Sequence, residues 1–181
     1  SRKRKMIKKE RRHILDQNIN IDILDGTQIT PNMWNFFYQL YERTYAKRNG
    51  TRGYLTSQFF TEIAQTMPEQ IAMSVATKNS QPIACALYLF DDNTLYGRYW
   101  GSIGDYQFLH FELCYYQGIE FAIKKGLDRY DAGAQGEQKL VRGFQPVKTH
   151  SLHWIKQPEF REAIKRFLNE ESKAVNHHIE Q

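Results

Sequence analysis

Cysteine is scarce in this chain: Cys85 and Cys114 are the only two among 181 residues. They lack metal-ligand spacing and make no disulfide framework, so both are read as buried, reduced thiols in a strand and a helix. No apolar run reaches the ~20 residues needed to span a bilayer. The start also lacks the charged, apolar, small order of a secretory signal. A soluble chain of the cytoplasm is expected. A glycine-flanked serine elbow and a phosphate loop ending in Gly-Lys-Ser/Thr are both missing, which removes common hydrolases and nucleotide kinases. His150 and His153 lie three apart in a predicted strand and point to opposite faces, and His177-His178 belongs to the tail; no metal is expected. Internal repeats and low-complexity stretches are absent.

What is present describes a folded body. A hydrophobic content of 41% and an aromatic content of 14% exclude a disordered chain. The length suits one domain with a substantial core. The formal net charge is +5 and unevenly placed. Arg2, Lys3, Arg4, Lys5, Lys8, Lys9, Arg11 and Arg12 crowd the opening. Residues 1–18 are therefore read as a basic lead helix or interdomain segment, and 19–181 as the folded domain. Such a lead is a solvated face or a contact for an anion, RNA included.

Residues 19–24 alternate apolar and polar and end at Asp25-Gly26, a short strand closed by a turn. Thr30-Pro31 then opens a helix over 31–45, since Thr30 can cap free amides and proline is tolerated in the first turn. Trp34, Phe37, Tyr38, Tyr41 and Tyr45 recur along it at helical steps, a stripe facing a core or the rim of a cleft. The loop 47–53 carries Lys47, Arg48 and Arg52, either an exposed connector or a seat for phosphate. A second helix covers 57–66. Strands follow over 71–77, 82–90 and 94–100, joined by short polar turns as an antiparallel meander. A long helix, apolar nearly all round, covers 106–125, with Gly126 as its stop. A strand over 127–131 is expected to return parallel to the third strand of the meander. A last strand over 149–155 and a helix over 158–175 complete the pattern.

The most informative stretch is Leu95-Tyr96-Gly97-Arg98-Tyr99-Trp100-Gly101, followed by Leu109-His110-Phe111-Glu112 and Gly133-Ala134-Gln135-Gly136-Glu137. It joins a strand, an aromatic-rich helix and a second strand to a glycine-rich polar loop, where an open sheet places a ligand.

This order of elements resembles the GNAT acyltransferase fold, an α/β (α+β) fold with a mixed, mostly antiparallel sheet flanked by helices. The resemblance puts an acyl donor in a gap between the strand ending at Trp100 and the strand ending at Asp131. Its coenzyme A loop has the pattern Arg/Gln-x-x-Gly-x-Gly/Ala; Arg98-Tyr99-Trp100-Gly101-Ser102-Ile103 departs at the last position. By that resemblance Gly101 and Gly104 are the coenzyme contacts. The stretches quoted above, with Leu109 through Glu120 and Lys139-Leu140-Val141-Arg142-Gly143-Phe144, are more closely similar to the FemAB-like branch, whose members are described as peptidoglycan biosynthesis or recognition proteins. That resemblance implies a bacterial C-terminal domain preceded by an N-terminal domain in a longer protein. It also implies acyl-CoA or aminoacyl-tRNA as donor, with tRNA then a partner, and a small-molecule or glycopeptide acceptor.

Acyl transfer to an amine needs a base near the acyl carbon and donors for the charge that builds on its oxygen. Glu112 and Tyr116 lie four apart on one helix face with Glu120 a turn beyond, and they are the catalytic candidates. Glu112 is equally readable as the partner of Arg98 in an ion pair across the cleft floor. Tyr96, Trp100 and Tyr116 would wall the cleft, with His110 beside them. Gln135 and Glu137 offer amide and carboxylate contacts, and Arg98, Lys139 and Arg142 would hold anionic groups. The readings that follow are an acyl- or aminoacyltransferase acting on an amine, a glycopeptide-recognition module without catalysis, and an RNA-contacting domain.

Overall fold

The computed structural model describes residues 2–133 and 136–179, with Gln135 outside them. The chain divides into two units, 1–137 and 138–181.

In the first unit, helix α1 (Arg2–Asp16) leads into β1 (Asn20–Asp25). Asp25-Gly26 does not turn the chain back on itself; it opens a 3₁₀ turn, Gly26–Gln28, and β1 pairs antiparallel with the distant β2 (Ile71–Lys78). Helix α2 spans Pro31–Asn49 and starts as its sequence requires, with the Met33 N–H donating to Thr30 Oγ1 at 3.3 Å. It runs past the expected residue 45 until Gly50 takes the left-handed conformation that ends it. Helix α3 (Ser57–Thr66) is capped by Thr56 in the same way.

Strands β2, β3 (Gln81–Phe90) and β4 (Thr94–Ser102) form the antiparallel meander, and β5 (Arg129–Asp131) returns parallel beside β4. The sheet order is β1-β2-β3-β4-β5. Helices cover both faces. Ile71, Met73, Val75, Cys85 and Leu87 pack on Phe37, Leu40, Tyr41 and Phe60 of α2 and α3. The alternate positions Ala72, Ala76, Ala84, Ala86 and Tyr88 turn to the other face with Leu109, Leu113 and Phe121. The strand period of two thus sorts the residues into two cores. Small alanines on the second face admit a helix at close range.

That second helical run starts at Leu109, three residues later than its periodicity suggests, because Phe108 sits at φ 66° and breaks the helical path before it. Its parts are α4 (Leu109–Phe111), a π-helical turn (Glu112–Tyr116) and α5 (Gln117–Lys125).

The second unit holds α6 (Gln138–Val141) and α7 (Pro158–Ile179). The strand expected over 149–155 does not form. A strand also needs a partner to take up its N–H and C=O groups, and among the described residues no strand pairs with 149–155. Leu152 and Trp154 stand exposed. Among the described residues no helix is long and apolar enough to cross a membrane, and no His, Cys, Asp and Glu side chains gather as a metal-binding group.

Candidate functional site

The parallel pairing of β4 with β5 is short: Thr94 opposes Arg129, Leu95 opposes Tyr130 and Tyr96 opposes Asp131. Strand β4 continues to Ser102, so from Gly97 onward its edge has no strand beside it among the described residues. A bulge falls at the same place. Leu87 opposes Tyr99 while Tyr88 opposes Gly97, which leaves Arg98 as the extra residue of β4. The sheet therefore opens at Gly97, and the bulge re-aims the residues that follow.

Beside this opening, the Trp100 and His110 rings meet edge to face at 4.9 Å. Arg98, exposed, lies over the Tyr96 ring at 5.1 Å rather than reaching Glu112. The ion pair expected between Arg98 and Glu112 is instead made by Arg11 of α1. Arg11 Nη2 is 3.0 Å from Glu112 Oε1, its Nε is 3.2 Å from both carboxylate oxygens, and Gln117 Nε2 donates to the same carboxylate at 2.9 Å. Arg11 also bonds Glu120. The Glu120 bond, followed by the Glu112 bonds, raises the guanidinium's pKa further, against the opposing effect of burial. Glu112 itself is buried, its side chain 4% exposed.

Tyr116 is held by the same helix: its hydroxyl bonds Glu10, a buried carboxylate, and its ring lies 5.8 Å from the Arg11 guanidinium. The basic lead is thus docked through Glu10, Arg11 and Ile14. One signal for this was present in the sequence. Glu10 is an acidic residue in an otherwise cationic run, and it lies a turn before Ile14.

The π turn explains why these residues meet. Widening the helix brings Gln117, five positions on, back to Glu112, and the Gln117 N–H bonds the Glu112 carbonyl. Two tyrosines from the sheet occupy the carbonyls of the widened turn. Tyr88 donates to Leu113 O and Tyr130 to Cys114 O. Since the single Tyr88 proton goes to Leu113, Ser74 Oγ donates to Tyr88 Oη across 3.1 Å. Burial raises both phenol pKa values strongly. Tyr130 is seated by two glycines, for a Cβ at Gly97 would stand 3.0 Å from its hydroxyl and one at Gly118 only 2.6 Å from its ring. Nothing local in the sequence marks Tyr88 or Tyr130, which act through contacts distant in the chain.

Gly101 is buried where β4 crosses α2: a Cβ there would lie 2.7 Å from the Leu40 carbonyl oxygen. Its missing side chain permits strand and helix to touch. Gly104 is exposed, beside the Ser102 hydroxyl that donates to its carbonyl at 2.7 Å. Past β5, the Gly133 N–H bonds Asp131 Oδ1 at 2.7 Å, and Glu137 is exposed. Lys139 and Arg142 lie in the second unit, where Arg142 Nη1 donates to the Gln138 carbonyl at 2.9 Å and its side-chain oxygen at 3.1 Å.

The family model FemAB-like, described as peptidoglycan biosynthesis/recognition, matches residues 1–181. The chain belongs to the FemAB-like family. Among curated proteins none matches this FemAB-like chain. Its fold is that of GNAT acetyltransferases. A "possible acetyltransferase" from Clostridium difficile 630 superposes with a TM-score of 0.55 at 8% identity, covering 77% of this chain and 99% of the other. The aminoglycoside acetyltransferase meta-AAC0020 from an uncultured soil metagenomic sample, solved with sisomicin, gives 0.53 at 12%, covering 80% and 98%. An acetyltransferase so named by prediction, from Clostridium acetobutylicum and solved with acetyl-CoA, gives 0.52 at 13%, covering 79% and 97%.

Proposed function

We propose that this FemAB-like chain transfers an activated acyl group to an amine, with the donor lying along the free edge of β4 between Gly97 and Ser102. The observation that carries this reading is the opening of the sheet just after Tyr96 and Asp131, beside a bulge. With no strand on the β5 side of β4 past Tyr96 among the described residues, that edge could align an amide-bearing donor as an added strand, and fixed backbone N–H donors suit a developing oxyanion. Acyl-CoA is the donor proposed first, on the strength of the acetyltransferase of this fold solved with acetyl-CoA; aminoacyl-tRNA is the alternative. The acceptor proposed is a small molecule or a glycopeptide, a cell-wall precursor being in keeping with the family's description as peptidoglycan biosynthesis/recognition.

Trp100 and His110 wall this opening, and Arg98 supplies an accessible cation beside Tyr96. Glu112, bonded by Arg11 and Gln117, serves as the base only when α1 withdraws. In the docked state Glu112 and Tyr116 fix the helix wall. This arrangement also supports a second reading, a glycopeptide-recognition module that keeps the cleft without catalysis.

Calorimetric titration with acetyl-CoA, followed by an assay for acylated amine, separates these. Saturable binding with turnover supports the transferase. Absence of acetyl-CoA binding by the folded protein overturns acyl-CoA as donor, and turnover with neither acyl-CoA nor aminoacyl-tRNA leaves the recognition module.

A further inference from the structure

On the α2 side of the sheet, away from Trp100 and His110, a group of tyrosines packs together. Tyr41 of α2 is buried, 4.8 Å from the Tyr45 ring and 5.1 Å from that of Tyr99 in β4, the latter at an interplanar angle of 85°. The loop after α2 is pressed onto it. The Leu55 N–H donates to Tyr41 Oη at 3.1 Å, and Gly53 lies so close that a Cβ would fall 2.2 Å from the Tyr41 ring. The loop so pinned holds Tyr54 edge to face with Tyr45, at 5.8 Å and 88°, although Tyr54 is 85% exposed.

An exposed aromatic ring fixed by a buried scaffold is a prepared contact surface, because its ordering cost is met before a ligand arrives. Arginines border this one. Arg48 lies three residues past Tyr45 on the same helix, and exposed Arg98 precedes Tyr99 in β4. Tyr99 also stands three residues past the last β4–β5 pair, so this corner borders the sheet opening from the opposite face.

A right-angled corner fits a saccharide better than a flat base. One ring face receives the C–H side of a pyranose, and the hydroxyl-bearing neighbours face its equatorial hydroxyls. A guanidinium adds paired donors for a carboxylate. We propose that Tyr45, Tyr54 and Tyr99, flanked by Arg48 and Arg98, form a subsite for a pyranose carrying a carboxylate, which stacks on Tyr54 and presents its anionic group to the arginines. The subsite's role as the acceptor side of the cleft rests on the transferase reading; its binding of an acidic sugar does not.

The test is titration of the full chain with trigalacturonate, followed by NMR of the tyrosine side chains, with maltotriose and uridine monophosphate as comparison ligands. Saturable binding of trigalacturonate is expected, with shifts at Tyr45, Tyr54 and Tyr99, at least tenfold weaker binding of maltotriose, and at least tenfold loss in Tyr54→Ala. Exposed Tyr54 makes that variant safe for folding. Failure of trigalacturonate to bind, equal binding of maltotriose, an unaffected Tyr54→Ala, or tighter uridine monophosphate binding at the same rings would each overturn the proposal. Trigalacturonate binding by a chain that acylates no amine from acyl-CoA or aminoacyl-tRNA refutes the transferase reading and leaves the subsite standing. Acetyl-CoA turnover without trigalacturonate binding does the reverse.

Discussion

Arg11 in α1 and Glu112 in the π turn are joined across 101 residues of chain, with Nη2 3.0 Å from Oε1. Removing the arginine leaves a buried carboxylate with Gln117 as its remaining side-chain donor among those described. For a fully buried pair that loss costs about 3–5 kcal/mol. Arg11 is 37% exposed and water screens part of its charge, so Arg11→Met is expected to cost about 2–3 kcal/mol. Urea unfolding of Arg11→Met, Glu112→Leu and the double variant checks this. The double variant should be clearly more stable than the sum of the singles implies, and additive costs would mean that the two side chains are not coupled.

Tyr130 closes the space between β5 and the helical run. Gly118→Ala would place a methyl 2.6 Å from its ring, and the obstacle is a side chain tied to Cys114 O and unable to swing away. A loss of about 1–3 kcal/mol is expected. In a Tyr130→Leu background the same alanine should be nearly neutral, a coupling of about 1 kcal/mol or more in a double-mutant cycle. Equal costs in both backgrounds would remove Tyr130 as the reason for the glycine.

Gly101 separates two explanations of one residue. As a contact between strand and helix, Gly101→Ala drives a methyl toward the Leu40 backbone oxygen, which cannot rotate aside, and lowers stability by about 2 kcal/mol or more. As a coenzyme-loop residue alone it would weaken acetyl-CoA binding and leave thermal unfolding unchanged. Thermal melting and coenzyme titration of the same variant distinguish the two, and an unshifted melting curve rules out the packing role.

The elements that local chemistry specifies were legible in the sequence. Thr30-Pro31 marks the start of α2, Thr56 caps α3, and the alternation through 71–77 and 82–90 sorts residues onto the two faces of the sheet. The parallel return of β5 was legible too, though it is shorter than its pattern suggests. What escaped was partner choice at long range. Arg98 and Arg11 offer Glu112 the same chemistry, and only docking of α1 decides between them. The π turn left no mark because helical periodicity is the same on either side of it. The alternation at 149–155 misled for a related reason, since a strand depends on an edge that the segment itself does not encode.

Three buried acids predict how the protein responds to base. Burial pushes the Cys85 thiol from 9.0 up to about 12 and raises the Tyr88 and Tyr130 phenols strongly in the same direction. Each group is neutral when folded and ionises more readily when unfolded. The unfolded chain therefore releases protons first, and stability, undiminished below the unfolded thiol value, falls as pH rises from about 9 toward 12. Urea midpoints measured across that range should fall progressively. Tyrosinate absorbance should show Tyr88 and Tyr130 ionising only in step with unfolding. Thiol labelling at pH 9 should likewise spare Cys85 until urea unfolds the chain. Reversible ionisation of all eleven tyrosines before unfolding would mean that Tyr88 and Tyr130 do not hold the π turn as described.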